Sequence, residues 1–170
     1  MTNTTRTALI GLGSNKPWLG ADSESVVRDA AQALRSLGDG VRLSPLYDSP
    51  AWPDPTAPRY VNAVAQLETA HSPLSLLRGL QAMEAGFGRV RSDKPEERYA
   101  PRTLDLDLLV LGDERSATKE LTLPHHGMAE RDFVLLPLKD LAPDWRHPIS
   151  GKDLAQLLSA LPTITAQRRG

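Results

Sequence analysis

The segment TLDLDLLVL, at residues 103–111, constrains the fold more than any other part of the chain. Its leucines and aspartates alternate, and successive side chains of a β-strand point to opposite faces of a sheet. A strand from Leu104 to Leu111 would bury leucines on one face and present Asp105 and Asp107 together on the other. The segment therefore predicts a strand with one apolar face and two neighbouring carboxylates.

The rest of the chain predicts further strands and helices around this one, separated by glycine- and proline-rich turns. The predicted elements are a strand at Ala8–Leu12, a helix at Asp22–Leu37, strands at Val41–Tyr47 and Tyr60–Leu67, a helix that begins at Ser72 and Pro73, and the strand Leu104–Leu111. This βαββαβ order is that of the ferredoxin-like α+β fold, in which helices lie on one face of a mostly antiparallel sheet. Two appended C-terminal helices are predicted around Val134–Leu141 and Leu154–Leu161.

Composition limits the possible classes of protein. A chain of 170 residues with 40% hydrophobic content fits one domain spanning residues 1–170. The 20 basic and 21 acidic residues nearly balance, so no overall field favours a nucleic-acid or membrane partner. Cysteine is absent, which excludes a disulfide scaffold and thiolate metal sites. With no apolar leader at its beginning, the chain is expected in the cytoplasm.

The paired carboxylates predict a magnesium site. Same-face residues two apart in a strand lie about 7 Å apart, so two anions there repel each other unless water or a cation intervenes. Mg²⁺ prefers oxygen ligands and often binds through one or two carboxylates plus substrate phosphates. An ordinary solvated strand face remains the simpler explanation for an isolated D-x-D pattern.

Basic residues before and after this strand favour phosphate binding. The segment 89–102 is predicted to be a mobile basic loop and contains Arg89, Arg91, Lys94, Arg98 and Arg102. Arginine binds phosphate through a planar fork of donors, although a solvated helix end would also explain the GRVR sequence. His125 and His126 lie in a predicted turn, where one could donate to a phosphate. A zinc site is the rival, but these histidines lack the usual i, i+4 spacing and a nearby third ligand.

Two other patterns point towards a nucleotide and a flat heterocycle. The sequence GLGSN, at Gly11–Asn15, resembles a phosphate-cradling turn but lacks the third glycine of a dinucleotide fingerprint and the lysine of a P-loop. Trp52, Tyr60, Asn62 and Phe133 could stack on and hydrogen-bond a heterocycle. Taken one at a time, such side chains are more often part of a core.

The stretch RYAPRTLDLDLLVLGD, at residues 98–113, resembles the signature of the 6-hydroxymethyl-7,8-dihydropterin pyrophosphokinase family. Other segments match in chain order and span most of the sequence: GLGSN, SPLYDSPAW, YVNAVAQLET, E-x-x-x-G-R-V-R and LTLPHHGMAERDFVLLPLKDLAP. The chain departs from the family pattern at KPWLG after GSN, at Tyr99 and at His126.

The resemblance implies transfer of pyrophosphate from ATP to the pterin hydroxymethyl group, with release of AMP, in folate biosynthesis. It implies two Mg²⁺ ions held by Asp105 and Asp107, which with Arg89 and Arg102 would be the catalytic residues. The implied ATP contacts are Glu84, Arg89, Arg91, Arg102, His125, His126 and Arg131. The implied pterin pocket consists of Ser49, Pro50, Trp52, Tyr60, Asn62 and Phe133. A monomer that acts on small molecules alone is expected.

Two other classes of protein share parts of this pattern. Nucleotidyltransferases also combine a Gly-Ser turn with D-x-D, but keep the two close together, whereas about ninety residues separate Ser14 from Asp105 here. Ferredoxin-like RNA-binding modules need aromatic residues on their strands and usually a basic surface. The chain has 5% aromatic residues and a formal net charge of −1.

Overall fold

The computed structural model describes residues 4–170. Its strands are β1 (Arg6–Ser14), β2 (Asp39–Leu43), β3 (Tyr47–Ser49), β4 (Tyr60–Thr69), β5 (Asp105–Leu111), β6 (Ser116–Ala117), β7 (Thr122–Leu123) and β8 (Gln167–Arg168). Its α-helices are α1 (Ser23–Ala33), α2 (Pro73–Gly86), α3 (Asp132–Leu141) and α4 (Leu154–Ser159). Short 3₁₀ turns occur at Leu34–Ser36, Pro95–Glu97 and Met128–Glu130.

The main sheet has the order β5-β1-β4-β3-β8, with β2 also paired to β4. Every pair in it is antiparallel. The predicted strand Val41–Tyr47 is divided into β2 and β3, because Pro45 has no N–H to donate to a ladder. At the break, the Ser44 hydroxyl accepts a 2.9 Å hydrogen bond from the Val64 N–H. Counting β2 and β3 as one divided strand, the ferredoxin-like βαββαβ prediction is confirmed.

Helices cover both faces of the sheet, whereas the ferredoxin-like core alone predicts one covered face. Helices α1 and α2 pack on the first face, where Leu104, Leu106 and Leu108 are buried as the alternation predicts. The appended helices α3 and α4 pack on the second face, against Leu9 and Leu109. Each leucine removed from water in this way stabilises the fold by about 1.5–3 kcal/mol.

Local sequence fixes the helix ends. The Asp22 carboxylate accepts from the Ser25 N–H at the start of α1, and the Ser72 hydroxyl accepts from the Ser75 N–H at the start of α2. Helix α1 ends at Ala33, earlier than predicted, and the chain tightens into a 3₁₀ turn. Within residues 4–170, no helix combines the length and apolarity that crossing a membrane requires.

The second face changes character along the strands. Leu9 of β1, Val64 of β4 and Leu109 of β5 belong to the cluster that packs with α3 and α4. Further along the same face, β1 carries two glycines, β4 carries Asn62, and β5 carries Asp107. Apolar side chains therefore give way to polar ones near the first turn of α3, and the candidate site lies there.

Candidate active site

The acidic pair of β5 lies on one face of the sheet, as its spacing predicts. Asp105 pairs in register with Gly13 of β1, and Asp107 pairs with Gly11. The relative side-chain exposure is 26% for Asp105 and 35% for Asp107. These carboxylates are thus half-buried, so charges nearby act on them with less screening than at an open surface.

Two arginines neutralise Asp105. Arg89 Nη1 donates to Oδ1 at 2.6 Å, and Arg102 Nη1 donates to Oδ2 at 3.0 Å. Burial acts to raise the pKa of Asp105, but the two guanidinium groups outweigh burial and hold the pKa below its usual value. Asp105 is therefore an anion at neutral pH.

Asp107 has much weaker positive partners. The nearest Arg131 nitrogen lies 3.5 Å from Oδ2, and His125 Nε2 lies 3.9 Å from Oδ1. Burial and the negative charge of Asp105 together raise the pKa of Asp107 to about 7. A cation placed beside this carboxylate would relieve that unfavourable charge.

The pair fits a magnesium ion better than an all-protein metal cage. Among residues 4–170, no group of three or more His, Cys, Asp or Glu side chains is arranged to hold a metal. Mg²⁺ does not need such a group, because water and substrate phosphates complete its octahedral shell. Two half-buried carboxylates, one paired with arginines and the other without a close cation, could therefore be the protein ligands of such an ion.

Glu84 organises the arginines from below the site. Its buried carboxylate accepts from the Leu106 N–H at 2.8 Å and from Arg89 Nη1 at 3.0 Å. Its other oxygen accepts from Arg91 Nη2 at 2.6 Å. Burial raises the pKa of Glu84, while these donors oppose the rise. Because Glu84 binds Arg89 and the backbone between the two aspartates, it aims Arg89 at Asp105.

Asn15 joins three segments around the site, a role that the sequence did not reveal. Its Oδ1 accepts from the Arg102 N–H at 2.7 Å, and its own N–H donates to the Arg102 carbonyl at 3.0 Å. Its Nδ2 donates to the Pro58 carbonyl at 3.0 Å. The end of β1 thereby anchors both the basic loop 89–102 and the proline-rich loop 49–58. The sequence signal that could have indicated this role was an asparagine in a turn directly after a strand.

His125 presents a hydrogen-bond donor towards Asp107. The Gly127 N–H donates to His125 Nδ1 at 3.1 Å, so the proton of the neutral ring is on Nε2. Burial lowers the pKa of His125 to about 4, which keeps the ring neutral at pH 7. His126 stacks on His125 with ring centroids 4.7 Å apart and is exposed to solvent. Both rings lie in the turn predicted for them.

We expect the free energy of unfolding of the His125→Gln variant to fall less than that of the wild type as pH is lowered from 6.5 to 4. The pKa of His125 is about 4 in the folded protein and 6.5 ordinarily, so the unfolded chain binds the extra proton between these values. Folding stability from this group is full above pH 6.5 and declines as pH falls towards 4. At about 1.4 kcal/mol per pKa unit the decline is at most about 3.5 kcal/mol, and solvent screening of the partly exposed ring reduces it to about 2–3 kcal/mol. Urea unfolding at stepped pH measures it.

His126→Gln is the matched control for that measurement, because it removes the adjacent exposed ring. This control should retain the wild-type slope between pH 4 and 6.5. An unchanged slope in His125→Gln would contradict the burial of a neutral ring at this position.

Asn62 and Ser49 form a polar floor beside the acidic pair. Both side chains are buried, and Asn62 Nδ2 donates to Ser49 Oγ at 2.8 Å. Asn62 pairs in register with Gly13, which in turn pairs with Asp105. Directly paired residues share a face, so Asp105, Gly13 and Asn62 form one row across three strands. Tyr60 precedes Asn62 by two residues on the same face of β4 and is half-buried.

The glycines do not form the phosphate-cradling turn that GLGSN suggests. Strand β1 continues to Ser14, and both Gly11 and Gly13 lie inside its ladder. A Cβ atom on Gly13 would lie 3.4 Å from Asn62 Oδ1 and 3.5 Å from the Tyr60 ring. Asn62 and Tyr60 therefore lie directly over Gly13, and a larger side chain at this position would press against both.

The remaining predicted pterin residues lie on the proline-rich loop and on α3. Pro50 is half-buried directly after Ser49. Trp52 is 74% exposed and meets Tyr99 edge-on, with ring centroids 5.2 Å apart, so the two loops touch through aromatic rings. Phe133 is half-buried in the first turn of α3, with the Arg131 guanidinium 5.9 Å from its ring centroid.

The structure thus brings most of the predicted residues to two adjoining areas. The charged area contains Glu84, Arg89, Arg102, Asp105, Asp107, His125 and Arg131. The polar and aromatic area contains Ser49, Pro50, Tyr60 and Asn62 beside Gly13. Arg91 reaches Glu84 but is largely exposed, and His126 and Trp52 are exposed at the margins.

Known proteins match this chain in sequence and in fold. The profile of 7,8-dihydro-6-hydroxymethylpterin-pyrophosphokinase (HPPK) matches residues 9–143. The 2-amino-4-hydroxy-6-hydroxymethyldihydropteridine pyrophosphokinase of Pseudomonas aeruginosa is 43% identical over 155 residues, which cover 90% of each chain. Its namesake from Synechocystis is 41% identical over 152 residues, which cover 89% of this chain and 74% of that one.

A crystal structure of a Plasmodium falciparum HPPK-DHPS triple mutant superposes with a TM-score of 0.69 at 14% identity. The match covers 93% of this chain and 44% of that chain, so the chain spans less than half of the solved protein. The wild-type protein gives a TM-score of 0.64 at 15% identity. These structures support the fold, and the sequence profile with the closer relatives carries the assignment. The chain belongs to the 7,8-dihydro-6-hydroxymethylpterin-pyrophosphokinase family.

Proposed function

We propose that Asp105 and Asp107 hold the divalent metal with which this pyrophosphokinase of folate biosynthesis uses ATP. The reaction transfers pyrophosphate to the hydroxymethyl group of 6-hydroxymethyl-7,8-dihydropterin and releases AMP. The hydroxyl oxygen forms a bond to the β-phosphorus while the bond from that phosphorus to the AMP oxygen breaks. The proposal rests on one observation. Asp107, which lacks a closely paired cation, lies beside the anionic Asp105 on one face of a strand.

The metal complement that we propose is two Mg²⁺ ions bound together with ATP. Magnesium at this pair would supply positive charge to the phosphate oxygens of the transferred group. The protein's share is to present two carboxylates whose own repulsion favours a bound cation. Support comes from the raised pKa of Asp107 and from the requirement of Mg²⁺ for only one or two carboxylates.

Arg89 and Arg102 are the proposed catalytic arginines. Arg89 binds Glu84 and Asp105, and Arg102 binds Asp105 and the Arg98 carbonyl. Each guanidinium has five N–H donors, so each retains capacity for phosphate oxygens after these contacts. Charge that spreads over the phosphoryl oxygens during transfer would be stabilised by donors already fixed in place. No covalent intermediate with the protein is required.

Other charged groups would bind ATP at the margins of the metal site. His125 offers a neutral Nε2–H donor, and Arg131 is held only loosely by Asp107 at 3.5 Å. Either group can turn to a phosphate without leaving a strongly paired partner. Arg91 and His126 are exposed and available to the nucleotide. Glu84, proposed as part of the nucleotide site, would act there through the arginines it binds.

The polar and aromatic area is the proposed pterin pocket. Asn62 and Ser49 provide buried amide and hydroxyl groups that can hydrogen-bond the edge of the heterocycle. Tyr60, Phe133 and Trp52 provide aromatic surfaces for its faces, with Pro50 beside them. Because Asn62 and Asp105 lie in one row across β4, β1 and β5, a pterin there would direct its substituent towards the metal site.

We expect wild-type enzyme, ATP, Mg²⁺ and the hydroxymethyl pterin to yield AMP and a pterin diphosphate in equal amounts. Phosphorus NMR of the products measures both. The 6-methyl pterin, which lacks the attacking hydroxyl, is the matched substrate control and should yield no AMP. Release of pyrophosphate instead of AMP would favour a nucleotidyltransferase, and tight RNA binding without turnover would favour an RNA-binding module.

We also propose that residues 1–170 act as one domain, as a monomer, in the cytoplasm. The absence of cysteine and the balanced charge are consistent with this proposal. Sedimentation equilibrium of the purified chain measures the oligomeric state directly.

A further inference from the structure

We propose that residues 163–170, here named the strap, set the separation of the two sides of the pterin pocket. Asp132 and Arg169 are the positioning residues through which the strap acts. The strap lies beyond residue 143, where the match to the family profile ends. This inference rests on the proposed function, because it concerns the geometry of that same pocket.

One end of the strap is bonded to the first turn of α3. Asp132 is buried, and its Oδ2 accepts from the N–H of Thr165, the Oγ1 of Thr165 and the N–H of Ala166. Asp132 stands between Arg131 and Phe133, which carry the proposed phosphate and pterin contacts on this side. A carboxylate with three donors on one oxygen fixes the position of the turn that holds its neighbours.

The other end of the strap is bonded to β3. Strand β8 pairs with Tyr47 and Asp48 of β3, and the Arg169 N–H donates to the Leu46 carbonyl at 2.9 Å. Arg169 Nη1 also donates to Asp48 Oδ1 at 2.8 Å. Asp48 directly precedes Ser49, whose hydroxyl binds the Asn62 amide. The strap therefore holds the strand that supplies the opposite side of the pocket.

The short span between these anchors limits how far apart the two sides can move, together with the 2.6 Å hydrogen bond that the Tyr47 hydroxyl of β3 donates to Asp140 Oδ2 of α3. Ala166 binds the α3 side, and the next residue, Gln167, already pairs with Asp48 of β3, so one residue step separates the two anchors. Consecutive Cα atoms of the chain are about 3.8 Å apart, and this distance cannot lengthen. The strap thus acts as a spacer of fixed length between Phe133 and Ser49.

The decisive variant is Asp132→Ala, which removes the acceptor of all three bonds to the strap. We expect KM for the pterin to rise by about 10- to 100-fold, because the loss of one or two well-aligned hydrogen bonds to a ligand has an effect of that size. The turnover number at saturating pterin should change much less. Asp132→Asn retains an oxygen acceptor at the same place and should restore much of the pterin affinity.

Arg168→Ala is the matched control. Its side chain is largely exposed and its nearest acidic contact, Asp140, is 3.9 Å away, so KM should stay at the wild-type value. Arg169→Ala is a milder second variant that keeps the backbone ladder, and it should raise KM in the same direction. It keeps the test informative if Asp132→Ala fails to fold.

Hydrogen exchange provides a readout independent of turnover. In Asp132→Ala, amides 47–51 of the β3 side and 131–134 of the α3 side should both exchange faster. Faster exchange confined to residues 163–170, or a lowered melting temperature with unchanged KM in both variants, would overturn the spacer role. Failure of the proposed function would look different, because wild-type enzyme would then release no AMP while the paired exchange response could still be measured.

Discussion

Asp105→Asn and Asp107→Asn are each expected to lower kcat/KM by about a thousandfold or more, while they change stability in opposite directions. An amide oxygen carries no full negative charge, so either variant weakens the proposed metal site. Removing one preorganised electrostatic contact commonly costs 10²–10³-fold, and loss of a metal ligand adds to it. Turnover at the wild-type level in either variant would refute the assignment.

Asp107→Asn should stabilise the protein in the absence of metal. Its pKa is raised from 3.8 to about 7, so the folded state carries a penalty for the ionised carboxylate. The sign follows from linkage: the penalty is absent below pH 3.8, grows as pH rises, and is complete above about pH 7. The amide removes a penalty of about 1 kcal/mol, after a discount for solvent screening of a partly exposed group. Denaturant unfolding at pH 8 and pH 4 measures it.

Asp105→Asn should destabilise the protein. The pKa of Asp105 is lowered by Arg89 and Arg102, so its contribution is present above its usual pKa and is lost as pH falls. Without the charge, two partly buried guanidinium groups lose their partner, at a cost of about 1–3 kcal/mol. Equal stability losses in both variants would contradict the unequal charge balance of the pair.

Local periodicity accounts for what could be predicted of this fold. The alternation in residues 103–111 identified β5 and both of its faces, because a period of two depends only on neighbouring residues. The run Ala8–Leu12 is apolar without alternation, which is typical of a strand covered on both faces. The order of the elements predicted helices on one face only, so the second helical layer was not predicted. The division between β2 and β3 at Pro45 was not predicted either, because Val41–Tyr47 was expected to be one strand.

Contacts between distant segments could not be predicted in this way. Asn15 binds the backbone of Arg102 across 87 residues, and Asp132 binds Ala166 across 34. No periodic pattern connects such pairs, since each partner is chosen by the packed fold. The glycines of GLGSN show the related limit: the same residues suit a turn or a strand that must leave space above it. In the structure, Gly13 pairs with Asn62 of β4 and with Asp105 of β5, which places it in a strand and not in a turn.

Gly13→Val is expected to lower pterin affinity by about a hundredfold or more while ATP still binds. Valine suits a strand, but its Cβ would already lie 3.4 Å from Asn62 Oδ1, and its methyl groups would extend into the space beside Tyr60. A ligand that contacts this part of the sheet cannot share that space, and overpacking costs up to about 3 kcal/mol, which corresponds to about 10²-fold in affinity. Calorimetry with a non-hydrolysable ATP analogue and then with pterin separates the two binding steps.

The matched control is Leu12→Val, which changes the adjacent residue of β1 on the opposite, helix-covered face. It removes one buried methylene and should cost about 1 kcal/mol of stability without altering pterin affinity. Gly13→Val should instead lower pterin affinity with little change in stability. Valine loses less backbone entropy on folding than glycine does, and this gain offsets part of the cost of crowding. If pterin bound Gly13→Val as tightly as wild type, the heterocycle would have to lie away from the row formed by Asp105, Gly13 and Asn62. The glycine would then serve only the packing of the sheet.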